Sequence, residues 1–190
     1  PSRGLGDVYK RQGCSRVAAE GLYDVMGRAL LMVGWVATGG LVLTGALGYS
    51  IGLEGSLGWH LLAALFSTLL ILFSHSWILF YLIGTGKAIK TAALEHDLDG
   101  AFAEQTREFK NRSNSWLMLA MMATMATFIV GGGVATRVLP AWIHSSLFLV
   151  TLILQIWTLV IEGRVIRDND RLMQQVDSRV RSAEGAPVDP

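Results

Sequence analysis

The sequence predicts an all-α, polytopic membrane protein: four transmembrane helices in an up-down-up-down bundle with cytoplasmic helical extensions. Three observations predict it. Hydrophobic residues make up 52% of the chain and charged ones 16%, below the usual soluble quarter, and the mean hydropathy is +0.43. Ala29–Tyr49, His60–Ile83, Trp116–Thr136 and Ala141–Ile161 each reach the roughly 20 apolar residues that cross a bilayer, and none contains Asp, Glu, Lys or Arg. The basic residues are also segregated. Lys87, Lys90, Arg107, Lys110 and Arg112 fall in the 87–115 connection, Arg164, Arg167, Arg171, Arg179 and Arg181 in the tail, and Arg28 before the first span, while Arg137 stands alone on the other side. The positive-inside rule then puts both termini and the middle connection in the cytoplasm, as expected for a prokaryotic inner-membrane protein.

Each element follows in chain order. Residues 1–12, "PSRGLGDVYKRQ", read as translated sequencing-adapter sequence and carry no functional weight; residues 13–27 form an N-terminal cytoplasmic segment without a signal-peptide pattern, with Met26 a candidate start. The first span is rich in small residues: Gly34, Thr38, Gly40, Thr44, Gly45 and Gly48. On the second, His60, Ser67, Ser74 and Tyr81 recur every seven residues, with Thr68 and His75 in the next row. The 87–115 connection reads as a helical hairpin bent at Asp97–Gly100, with Ser113 or Ser115 capping the third membrane helix if the chain breaks there. The third span again offers small residues, Ala120, Ala123, Thr124, Thr127 and the run Gly131, Gly132, Gly133. On the fourth, His144, Thr151, Gln155, Thr158 and Glu162 fall within about 40° of one line, and the cost of polar groups in hydrocarbon turns that line inward. A helix continues from residue 164 to about Ser182, with Leu172, Val176 and Val180 as an apolar stripe suited to covering the hairpin, and residues 183–190 fray.

Several activities are disfavoured. A net charge of +1, with no basic run interleaved with aromatics, argues against nucleic-acid binding. The lone Cys14 excludes an intramolecular disulfide or a CxxC centre. "GTGK" at 84–87 lacks the flanking residues of a phosphate loop, and "NRS" at 111–113 lies on the cytoplasmic side, away from glycosylation. Glu95, His96, Asp97 and Asp99 read as a solvated turn ahead of a cation site. No catalytic constellation is present, so an enzyme is not expected.

Three functions remain. The first is a small non-catalytic subunit, packing against its own copies or other membrane subunits through polar faces and through Gly40, Gly45, Gly48, Gly131, Gly132 and Gly133. The second is a membrane b-type haem protein carrying electrons. His60 and His144 lie at the outer starts of spans two and four, diagonal helices roughly 14 Å apart. That separation is too wide for contact but suits axial ligands on either side of haem b. Glycines at the same height leave room, and Arg137 would meet a propionate. The same two histidines, beside Trp59 and Trp142, also suit interfacial anchoring, or another metal or a quinone. Only His75 is available on the inner side, which argues against a second bis-histidine haem. The third function is a proton or small-solute transporter lined by Ser67, Ser74, His75, Thr151, Gln155, Thr158 and Glu162. His75, about 22 Å below His60, is interhelical glue if bonded to Gln155 or a hydroxyl, and a relay if coupled to Glu162.

Overall fold

A computed structural model describes the backbone of residues 3–51 and 56–185 and the side chains of residues 25–51 and 56–182. Side chains of the adapter-like segment and of the tail after residue 182 lie outside the described residues. The described chain is all-helical: α1 Arg3–Ser50, α2 Leu57–Glu95, α3 Ala101–Ala135 and α4 Ala141–Gly185. All four are long and apolar enough to cross a membrane. Each helix runs on past its apolar span without interruption. The chain does not break near Ser113 or Ser115, so neither caps a helix; Ser113 is a buried interior residue of α3.

The turns explain why the helices stop. At the end of α2, His96 N–H bonds to the Ala92 carbonyl and Leu98 N–H to that of Ala93, with Asp97 at φ 49° between them. This is the Schellman geometry, with Asp where glycine is usual. The end of α3 repeats it: Arg137 N–H reaches Val134, Val138 N–H reaches Gly133, and Arg137 sits at φ 61°. Asp99 then accepts the Ala101 N–H at 3.0 Å, satisfying one free donor at the start of α3.

Helix α1 packs on α2, α2 on α3, α3 on α4 and α4 on α1, and α2 and α4 also touch across the diagonal. The surface these helices leave outside is apolar, carrying Trp35, Leu43, Phe66, Phe73, Phe80, Ile129, Ile153 and Trp157. The interior is the reverse, with Thr38, Thr44, Ser67, Ser74, His75, Thr124, Thr127, Thr151, Gln155, Thr158 and Glu162 all buried. A water-soluble protein would not be built this way round; hydrocarbon on the outside makes it favourable. Apolar clusters separate the polar layers. Ala37, Leu41 and Ile71 pack with Phe148 towards the His60 end. Leu30, Ile78, Tyr81, Leu82, Ile161, Val165 and Ile166 form the middle cluster. Leu172, Val176 and Val180 close on Ile89, Phe102 and Phe109 near the α2–α3 turn, so the tail stripe covers the hairpin of its own chain.

The two halves of the chain are built alike. His60, Ser67 and Ser74 on α2 match His144, Thr151 and Thr158 on α4, seven residues apart each time. Ala37, Gly40, Thr44 and Gly48 on α1 match Ala120, Ala123, Thr127 and Gly131 on α3. The contacts correspond as well. Thr44 Oγ1 meets Ser67 Oγ at 3.3 Å, and Thr127 Oγ1 meets Thr151 Oγ1 at 2.7 Å. Ser74 donates to an α1 carbonyl, that of Leu30, and Thr158 to an α3 carbonyl, that of Trp116, each at 3.4 Å, though these two acceptors lie three residues apart in the matched register.

Candidate functional site

Two polar centres lie on this frame. The first belongs to the repeat. His60 and His144 start the matching helices, and their rings meet: the centroids are 6.4 Å apart with ring planes 85° from parallel. The separation of roughly 14 Å expected for diagonal helices is not what the side chains experience, because α2 and α4 touch across the diagonal and each imidazole reaches inward. His60 Nδ1–H donates to the Thr44 carbonyl at 3.0 Å, which fixes the tautomer and leaves Nε2 with its lone pair. The His144 ring lies against the Thr127 backbone, and its buried Nδ1 has no hydrogen bond of good geometry among the described residues.

Glycines one turn beyond those two threonines make room for the rings. A Cβ at Gly48 would come within 2.8 Å of His60 Cε1, and one at Gly131 within 3.0 Å of His144 Cε1. Gly40 faces Ser67 and Gly45 faces Phe148 at similarly short range, so these four expected packing residues serve contacts inside the chain. Gly133 meets only Leu139 of its own turn, and Gly132 faces open space. Gly34, against Leu159 and Ser74, and Gly27, against Ile166 and Tyr81, are further close approaches. Arg137 lies exposed in the α3–α4 turn. Among the described residues no three His, Cys, Asp or Glu side chains converge as a metal-binding group, which includes the acidic α2–α3 turn.

The second centre breaks the repeat. His75 Nδ1 lies 2.6 Å from Glu162 Oε1, and His75 Nε2 lies 2.9 Å from Gln155 Oε1. All three side chains are fully buried. Sequence reasoning offered Gln155 and Glu162 as alternative partners; the imidazole takes both, because its two nitrogens face opposite ways along α4. In the other half, the matching positions hold Leu159 for His75, Ile71 for Gln155 and Ile78 for Glu162, and all are buried. One half of the interior is therefore polar at three places where the other is apolar. One ring nitrogen faces the Glu162 carboxylate and the other the Gln155 side-chain amide, so a proton has a place between imidazole and carboxylate.

A third polar layer lies nearer the α2–α3 turn and was not singled out from the sequence. Thr85 Oγ1 approaches Asn169 Oδ1 at 3.3 Å, and Tyr81 donates to Asp170 at 2.6 Å. Its signal was available, since Asn169 continues the spacing of seven from Gln155 and Glu162. It was masked by falling in the charged tail.

No family model, curated protein or solved structure matches this chain.

Proposed function

We propose that this chain is a membrane-embedded b-type haem protein that carries electrons, with His60 and His144 as the axial ligands. The observation that carries the reading is the ring pair itself, 6.4 Å between centroids with nearly perpendicular planes. Two imidazoles trans to each other on one metal ion hold their ring centres about 6 Å apart, given metal–nitrogen bonds of that class. A hydrogen bond from Nδ1 to a backbone carbonyl, as His60 makes to Thr44, is the usual support of a ligating histidine. A tetrahedral metal site draws three or four ligands from the protein, which this end of the bundle does not offer among the described residues. A porphyrin brings its own four equatorial nitrogens and needs only the axial pair.

Haem, when bound, supplies one-electron chemistry. The chain supplies the rest. Thr44 orients one imidazole, Gly48 and Gly131 admit the rings, and Arg137 provides a cation in the adjoining turn for a propionate. In this reading the bundle runs up-down-up-down, both termini and the 87–115 hairpin face the cytoplasm, and the histidine pair lies at the outer side of a prokaryotic inner membrane.

The test is the absorption spectrum of the purified protein. One haem per chain is expected, lost in His60→Ala and in His144→Ala but retained in His96→Ala. Colourless protein that stays colourless after haem addition, and that co-purifies with a larger membrane partner, would favour the non-catalytic subunit instead.

A further inference from the structure

The His75–Glu162 pair is not needed for holding a cofactor at the other end of the bundle, yet polar atoms accumulate beside it. Gln155 Nε2, Glu162 Oε2, Asn169 Nδ2 and Ser113 Oγ are all buried and make no hydrogen bond among the described residues. Gln155, Glu162 and Asn169 stand seven residues apart on α4, so they share one line with steps of about 10 Å. Thr158 meets the Trp116 carbonyl, and one turn further along each helix the register brings Glu162 and Ser113 to the same height. Beyond Asn169 the line continues through Thr85 to Tyr81 and the half-buried Asp170. Orphaned polar atoms in a native interior require an explanation, and ordered water with two to four polar partners is the ordinary one. Steps of about 10 Å are too long for direct bonds and suit bridging by several waters.

We propose that the His75–Glu162 pair is a proton-loading site, connected by internal water along the Glu162–Asn169 line to the α2–α3-turn end of the bundle. The proton enters at the Asp170 end, passes along water between Asn169 and Ser113, and binds at the pair. Binding protonates the Glu162 carboxylate or the imidazole nitrogen facing it, with no other bond made or broken. Towards the histidine end, the Thr127 and Thr151 hydroxyls bond to each other and to helix carbonyls, and the Ala37, Leu41 and Ile71 cluster with Phe148 and Leu152 packs beside them. Among the described residues, the groups of ionisable type along the route are Glu162 and Asp170 from α4 and His75 and Tyr81 from α2, with Arg28 of α1 at the surface. The inference does not depend on a bound haem.

The test is solvent exchange of the His75 ring protons, followed by nuclear magnetic resonance of the ¹⁵N-histidine-labelled full chain in lipid nanodiscs. His75→Leu identifies the signals, and His60 and His144 report that each variant is folded. The ring protons are expected to exchange with water in the folded protein. Asn169→Leu should slow that exchange at least tenfold, and Ser113→Ala should slow it too. Ring protons that stay locked for hours in the wild type would overturn the proposal. So would exchange that is unchanged in a folded Asn169→Leu variant.

Discussion

Replacing His75 by leucine should be far more damaging than replacing the whole triad. In the single variant, Glu162 and Gln155 each lose the partner they hold at 2.6 and 2.9 Å, deep in the bundle. Interhelical hydrogen bonds in membranes contribute roughly 0.6–1.7 kcal/mol each, and an uncompensated charge at the membrane centre costs about 2.5–3.5 kcal/mol. Loss of both bonds, with Glu162 left unpaired, thus destabilises the bundle by about 4–7 kcal/mol, at or above the roughly 3–5 kcal/mol seen on breaking buried pairs. The triple variant His75→Leu, Gln155→Ile, Glu162→Ile installs the residue types that the other half already carries at Leu159, Ile71 and Ile78. No orphan is left, so its stability should lie within about 1.5 kcal/mol of wild type. Reversible unfolding in bicelles measures both. A single variant costing under about 1 kcal/mol would refute the reasoning. So would a triple variant less stable than the single one.

Other consequences follow from the same geometry. Gly132→Ala, facing open space, should be neutral or gain up to about 1 kcal/mol of helix stability, whereas Gly45→Ala, whose Cβ would lie 2.5 Å from Phe148 Cζ, should lose about 1–3 kcal/mol in the same assay. Asp97→Gly relieves a left-handed residue at φ 49° and should raise stability by up to about 1 kcal/mol, read as a higher melting temperature. Leu172→Ala, fully inside the hairpin cluster, should cost about 2–5 kcal/mol and expose the tail to limited proteolysis before the spans unfold.

The spans were legible because a bilayer sets a length that few soluble helices meet without charge. The inward polar line on α4 was legible for a related reason: Gln155 and Glu162 have no favourable place facing lipid, and their spacing put them on one face with His144. Contact between His60 and His144 was not legible, since helix-axis spacing says little about how far two imidazoles reach when glycines flank them. The likeness of the halves was visible only in outline. Histidine followed by small hydroxyl residues every seven positions occurs twice, but the conversion of Ile71, Leu159 and Ile78 into Gln155, His75 and Glu162 hides the correspondence until the contacts are superposed. Ser113 misled because a serine near a membrane boundary suits a helix cap; the helix runs straight through, and the hydroxyl is left buried without a hydrogen bond among the described residues.

The absorption spectrum tests the account most directly. Purified wild-type protein supplied with haem should show a six-coordinate Soret band at one haem per chain. The band should survive His75→Leu and His96→Ala and vanish in His60→Ala and His144→Ala variants that keep wild-type helicity. A folded wild-type protein that remains colourless, or one whose haem persists without His60 and His144, would contradict it.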